Sequence, residues 1–324
     1  MRADLSRHGR RPTLLIVGCG DVGLRVLRAL GAQWRVHVLT SSPQRVGELR
    51  ALGAVPLVGN LDDPVSLGRL GGLAERVLHL APPPSQGEED PRTAALVRAL
   101  WRGARVRHLV YGSTSGVYGD CAGARIDETR AVAPATARAR RRVDAEARLR
   151  HFGRASGCRV TVLRIPGIYA LDRDGGDPRE RLLRGQPVLQ ASHDVYTNHV
   201  HADDLARACV AALLRGRPQR VVHACDAGEL KMGDHYDLVA DLCGLPRPVR
   251  VTPEEAAARL GPMAMSFLSE SRRLAGDRLA RELRVRLRYP TVREALQGQG
   301  AGRAPGAADP RTEARSGPTP PERA

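Results

Sequence analysis

The feature that most constrains this chain is the run Gly18-Cys19-Gly20-Asp21-Val22-Gly23, set between a short apolar stretch at residues 14–17 and a helical pattern at 22–30. Gly18 permits a tight turn out of a strand. Gly20 leaves the backbone open to close approach by another molecule, and Gly23 lets a helix pack tightly on the strand before it. The free N–H groups at the start of that helix suit an anion. A strand–turn–helix unit of this kind needs parallel neighbours, and the rest of the chain supplies them. Further strands are expected at 36–39, 55–58, 77–80, 108–111 and 159–163. Helices at 44–52, 64–70, 90–101 and 134–155 separate them. With right-handed crossovers this rhythm gives an α/β fold, a Rossmann-type doubly wound parallel sheet.

After Arg164 the rhythm weakens. Loops rich in Gly, Pro and Asp fill 172–187, while a helix near 202–214 and a strand at 221–224 return to the main sheet. The expected division is a Rossmann domain at 13–170, joined again by 196–227. A smaller, mostly helical C-terminal lobe takes 171–195 and 228–297. Residues 1–12 and 298–324 carry too little apolar surface to offset the entropy of ordering and are expected to be disordered.

The net charge of +16 raises the question of nucleic acid. Lys231 is the only lysine, so the excess is arginine in a chain rich in Ala, Gly and Pro. With 3% aromatic residues there is no stacking platform for bases. The densest basic run, 138–150, includes Asp144 and Glu146, the pattern of a solvated helix face. No nucleic-acid partner is expected. No stretch has the roughly 18 apolar residues that a membrane span needs. The six cysteines form no CxxC pair and suit neither a zinc site nor a disulfide scaffold. A cytoplasmic location follows as the expectation, with a small-molecule substrate as the partner and a homodimer left open.

The glycine run, in its strand-to-helix setting, points to a dinucleotide whose pyrophosphate lies over Gly20, Asp21 and Val22. The end of the second strand selects between NAD and NADP. An acid there would hold the adenosine ribose hydroxyls, but this chain has Leu39-Thr40-Ser41-Ser42, followed by Arg45. Hydroxyls with an arginine suit a 2′-phosphate, so NADP is favoured over NAD.

Further segments then fall in order: Val58-Gly59-Asn60-Leu61-Asp62, the strand ending at Ala81-Pro82-Pro83-Pro84, Tyr111-Gly112-Ser113-Thr114-Ser115-Gly116-Val117-Tyr118-Gly119, Leu163-Arg164-Ile165-Pro166-Gly167-Ile168-Tyr169, and His199-Val200-His201-Ala202-Asp203-Asp204. With Arg288-Tyr289-Pro290 they make the chain resemble the extended short-chain dehydrogenase/reductases, the NAD-dependent epimerase/dehydratase superfamily, over about residues 13–296. The glycine turn and the proline run are most similar to its atypical YeeZ-like group. The resemblance implies an oxidoreductase or epimerase-like activity, with Asn60 and Leu61 beside the adenine. It places Ala81 and Pro82 along the nicotinamide ribose and Pro166 to Tyr169 on the nicotinamide side. Thr114 falls at the family's catalytic Ser/Thr position, and Tyr169 is a second catalytic candidate.

One departure matters. The family uses a Tyr and a Lys four residues apart on its long helix, and counting back from Glu146 those places hold Arg138 and Arg142. Between Gly119 and Ile168 there is no tyrosine and no lysine. Arginine stays protonated and cannot shuttle a proton, although Arg142 can hold a ribose or phosphate. Substitutes to consider are Tyr118, Tyr169, His79, His193 and His199. A metal at His199, His201 and Asp203 is not expected, because Asp203 reads as a helix N-cap. The sequence leaves open an enzyme with non-standard proton transfer and a dinucleotide sensor without turnover.

Overall fold

The computed structural model describes residues 11–298. Seven strands form one parallel sheet: β1 (Thr13–Val17), β2 (Arg35–Thr40), β3 (Val55–Val58), β4 (Arg76–His79), β5 (His108–Thr114), β6 (Arg159–Ile165) and β7 (Arg220–His223). Their order is β7-β6-β5-β4-β1-β2-β3. The chain winds outward from β1 to β3, then crosses back to place β4 on the other side of β1. That reversal opens a crevice at the C-terminal ends of β1 and β4, where doubly wound sheets bind ligands.

The strands are apolar along their length because helices cover both faces. Leu14, Leu15, Ile16 and Val17 are all fully buried. Leu14 and Ile16 face α1 (Asp21–Leu30) and α6 (Ala202–Arg215), packing with Val26, Leu27, Leu205, Cys209 and Leu213. Leu15 and Val17 face the opposite layer, with Leu96 and Leu100 of α3 (Pro91–Trp101) and Leu149 and Phe152 of α4 (Ala137–Ser156). Two short helices, α2 (Val46–Ala51) and α5 (Pro178–Leu183), precede α6 in the chain, and α7 (Met232–Cys243) follows it.

Beyond the sheet, α7 packs with Val188, Leu189, Val251 and Leu260 on one side, and with Tyr169, Tyr289 and Leu296 on the other. Asp204, at the start of α6, ties this region down: its carboxylate accepts the backbone N–H groups of Arg288 and Tyr289 at 2.8–2.9 Å. All six cysteines are free thiols, and five are buried.

Several local expectations change. The helix expected at 64–70 is a single 3₁₀ turn, Pro64–Leu67, capped by Asp63 and ended at Gly68. The long helix starts at Ala137, because the Thr136 hydroxyl caps it by accepting the Ala139 N–H. Asp203 is not the N-cap of α6. His201 holds that place, its Nδ1 accepting the Asp203 N–H at 3.2 Å, which frees the Asp203 carboxylate for Arg25. The basic run of α4 is not a uniformly solvated face either. Arg141 is buried and donates to the Gly87 carbonyl, and Arg142 turns into the crevice. The termini expected to be disordered lie outside the described residues, except Arg11, Pro12 and Gly298.

Candidate cofactor and substrate cleft

The three glycines of the first turn do three different things. Gly18 has φ +88°, and a Cβ there would sit 2.3 Å from the Ala81 nitrogen. The close approach arises because the Leu80 and Ala81 N–H groups both donate to the Val17 carbonyl. A Cβ on Gly23 would meet the Gly18 carbonyl and the Cys19 sulfur at 3.1–3.2 Å, because the start of α1 is pressed onto the turn. A Cβ on Gly20 would meet nothing within 4 Å. That open space lies at the N-terminus of α1, whose N-cap is Gly20 itself, with no capping side chain. This is a cradle that a pyrophosphate fits and that a side chain would fill.

Three cavities join end to end along the C-terminal edge of the sheet. The first, about 310 Å³, runs from the glycine turn over Thr40, Ser41 and Arg45 to Asn60 and Leu61, with Ala81 and Pro82 as its other wall. The second, about 350 Å³, shares Gly18, Gly20 and Pro82 with the first and continues past Asp21, Val22 and Gly23 to Thr114, Arg142 and Pro166. The third, about 480 Å³, shares Thr114, Arg138, Pro166, Ile168 and Arg173 with the second and opens toward Tyr196, Phe267 and Glu270.

At the first cavity Arg45 reaches back across the turn and donates to the Cys19 carbonyl at 2.7 Å, while its Nε donates to Glu48. The Thr40 hydroxyl accepts the Ser42 N–H, and Ser41 is exposed. The Asn60 amide oxygen accepts the Asp62 N–H, closing a small turn beside buried Leu61. Arg92 braces this rim with two bonds to Asp62.

At the second cavity α4 determines the chemistry. Glu146, one turn beyond Arg142, is buried and accepts from Arg164 of β6 at 2.8 Å and from the Ser113 hydroxyl of β5 at 2.6 Å. This bolts α4 to two strands and holds Arg142 over the sheet edge. Arg142 donates to the Gly112 carbonyl at 2.7 Å and to the Tyr111 hydroxyl at 3.0 Å. Thr114 Oγ1 accepts the Gly116 N–H at 3.2 Å, and its own hydrogen has no acceptor among the described residues.

The substitute proton carriers lie elsewhere. Tyr118 is buried, and its hydroxyl is 2.6 Å from His223 Nε2. Since His223 Nδ1 donates to the Ala275 carbonyl, the tyrosine is the donor and its proton is committed. His79 is fully buried against Tyr111; the Thr93 hydroxyl gives its proton to Asp90, so His79 Nε2 donates to Thr93. Burial, with Arg142 nearby, pulls the His79 pKa down to about 3. Tyr169 is buried between His199, His201 and the α7 layer and lines none of the three cavities. His199 is stacked on His235 with ring centroids 4.1 Å apart, and burial lowers its pKa to about 4. His193 bonds to Ser192 and Gln190 at the surface.

Of the residues singled out in the sequence, all the cofactor candidates line the groove, and so does Thr114. Tyr169 does not. Sequence reasoning missed Arg173, Tyr196, Phe267 and Glu270, which arrive from loops and from the short helix Pro262–Leu268, with no motif of their own. Among the described residues no cluster of His, Cys, Asp and Glu could hold a metal ion. None of the described helices is long and apolar enough to cross a membrane.

With this geometry in hand, comparison with known proteins defines the class. Residues 14–225 match the model of the NAD dependent epimerase/dehydratase family. The chain belongs to that family. A conserved protein of unknown function from Silicibacter pomeroyi DSS is 33% identical, with 90% of this chain and 99% of that chain covered and a TM-score of 0.74. UDP-glucose 4-epimerase from Thermotoga maritima shares the fold at 21% identity, with coverage of 88% and 96% and a TM-score of 0.71. DesIV, a dTDP-glucose 4,6-dehydratase from Streptomyces venezuelae, does so at 20% identity, with coverage of 88% and 95% and a TM-score of 0.70. No curated protein matches the chain.

Proposed function

We propose that this chain is a cytoplasmic NAD(P)-binding enzyme of the epimerase or oxidoreductase type, acting on a small molecule by a route that does not use a Tyr-Lys pair. The observation that carries this reading is the unbroken groove from the glycine turn to the outer cavity. Residues 171–195 and 228–297 serve as the substrate lobe. Solved relatives of the same fold are described with NAD and with UDP-glucose or UDP-glucuronic acid, which agrees with a nucleotide-dependent chemistry.

Leu61 and Asn60 would border the adenine, Thr40, Ser41 and Arg45 the adenosine ribose, and Gly20 to Val22 the pyrophosphate. Arg142, Ala81, Pro82 and Pro166 would flank the nicotinamide half. Bound there, a nicotinamide ring supplies hydride exchange with a substrate carbon. The chain contributes position and charge. Thr114 presents a free O–H donor to a substrate oxygen where the inner and outer cavities meet. Arg138 and Arg142 stay protonated and act as fixed charges, so the accompanying proton passes to solvent or through the Thr114 hydroxyl. Arg45 favours a 2′-phosphate, but Glu48 already shares its charge, so preference for NADPH over NADH is expected to be about tenfold or less.

Titration with both nucleotides, followed by a substrate screen at the nicotinamide absorbance, tests the proposal. Saturable binding with turnover of any substrate supports it, and failure to bind either nucleotide overturns it. The arginines on α4 also favour a second reading, a dinucleotide sensor. Tight binding without turnover across the screen would select that reading.

A further inference from the structure

Arginines around this cleft are mostly neutralised. Arg25 meets Asp21, Asp172 and Asp203, Arg164 is paired with Glu146, and Arg272 with Glu270 at 2.8 Å. Arg138 is different. It makes no hydrogen bond and no ion pair among the described residues, and its guanidinium lies 5.6 Å from the centroid of the Phe267 ring. It stands at the neck between the inner and outer cavities, with Arg142 one turn away lining the same inner wall. Arg173 lines both cavities as well. Its Nε is buried and forms a long ion pair with Asp21 at 3.7 Å, a carboxylate that is also bonded to Arg25, and the rest of its guanidinium makes no hydrogen bond among the described residues.

Two guanidinium groups with unused donors thus face one space, where the one acidic wall residue of the outer cavity, Glu270, is committed to Arg272. Partly desolvated like charges are unfavourable unless an anion joins them, and guanidinium forks match carboxylate and phosphate oxygens. We propose that the substrate of the outer cavity carries an oxyanion, a carboxylate or a phosphate, held at this neck by Arg138 and Arg173, with its apolar part against Phe267 and Tyr196. The proposal rests on the dinucleotide reading of the inner cavity.

The test uses the protein saturated with NADH, so that the pyrophosphate cradle is filled. Malonate, inorganic phosphate and the uncharged malonamide are titrated by calorimetry. Malonate, phosphate or both should bind in the millimolar range, and malonamide should not. Binding of malonate alone assigns a carboxylate and of phosphate alone a phosphate. Arg138→Met and Arg173→Met should each weaken the anion by about tenfold or more, and Arg138→Lys should recover part of the loss. Melting curves of the Arg138 variants should match the native protein, since no polar partner is broken. Equal binding of malonamide, no binding of either anion, or unchanged affinity in both Met variants would overturn the proposal. So would an equal loss of NADH affinity in Arg138→Met, which would assign that arginine to the nucleotide. Failure of NADH to bind the native protein would be seen first, and would remove the dinucleotide reading together with this one.

Discussion

The two ends of the groove are built from different materials. The glycine end is backbone: its shape comes from one positive φ at Gly18, one close contact at Gly23 and one open position at Gly20. The arginine end is side chain: Arg138 and Arg142 stand on α4, which a buried network at Glu146 bolts to the sheet, and Arg173 comes from a distant loop. The first kind of site depends on what residues lack, the second on what they carry. A backbone site therefore fails when anything is added to it, and a side-chain site fails when a support is removed.

The sharpest test adds a single methyl group. Gly18→Ala places a Cβ against the Ala81 backbone at a φ of +88°, and is expected to cost more than about 3 kcal/mol, measured by urea unfolding. Gly20→Val, two residues on, should fold with a melting temperature near that of the native protein and lose nucleotide binding. Equal stability of both variants would break the distinction drawn here between the three glycines.

At the other end the largest effect should come from Glu146→Ala, which leaves buried Arg164 without its partner and unbolts α4. A loss of about 3–5 kcal/mol is expected by the same unfolding measurement. A loss below 1 kcal/mol would mean that α4 is held by its apolar face alone.

Acid should also attack the arginine end, because it rests on buried neutral histidines. Burial lowers His79 to about 3 and His223 to about 4, whereas the unfolded chain takes up these protons near 6.5. Their contribution to stability is present above pH 6.5 and is lost as pH falls toward those folded values. At pH 5.5 the pair should cost about 3 kcal/mol relative to pH 7.5. Hydrogen exchange should show β5 and α4 opening before β1 and α1. Asp226 acts in the opposite sense. Burial raises it to about 8, so its contribution is present below pH 4 and fades as pH rises toward 8, and Asp226→Asn should flatten that part of the profile.

The smallest effect concerns Arg142. Removing its side chain in Arg142→Ala should weaken nucleotide binding by about tenfold or more, roughly 1.5–3 kcal/mol, through the loss of one charge-assisted contact. Unchanged affinity would return Arg142 to a purely structural role, bracing the Gly112 carbonyl.

This contrast also explains what could be read in advance. The alternation of apolar runs with helical patterns was enough for the parallel sheet, because strands buried on both faces cannot hide their composition. The inner part of the groove was legible because glycines between a strand and a helix have few other uses, and the residues singled out there do line it. Tyr169 was placed at the cleft from the resemblance alone, yet its ring belongs to the layer beneath α7. Asp203 looked like a cap because the residue two before it, His201, is an uncommon capping residue. Arg173, Phe267 and Glu270 left no mark in the pattern, since only tertiary folding brings residues 138, 173 and 267 to one neck. Nor could charge pairing be seen in the sequence: Arg138 and Arg141 look alike there, though one has no polar partner and the other donates to Gly87.

Arg25 carries a consequence for how the molecule is assembled. Two of its three carboxylates, Asp172 and Asp203, lie far down the chain, and the apolar face of α1 is covered by Leu205, Cys209 and Leu213 of α6. During synthesis from the N-terminus, the first strand and helix are therefore made long before the elements that shield them. Val26, Leu27 and Leu30 lack their α6 partners, and Arg25 keeps only its neighbour Asp21, until residue 213 has left the ribosome. The glycine-turn corner, first in the sequence, is among the last parts to be closed. A nascent chain halted before α6 should be sticky and in need of a chaperone.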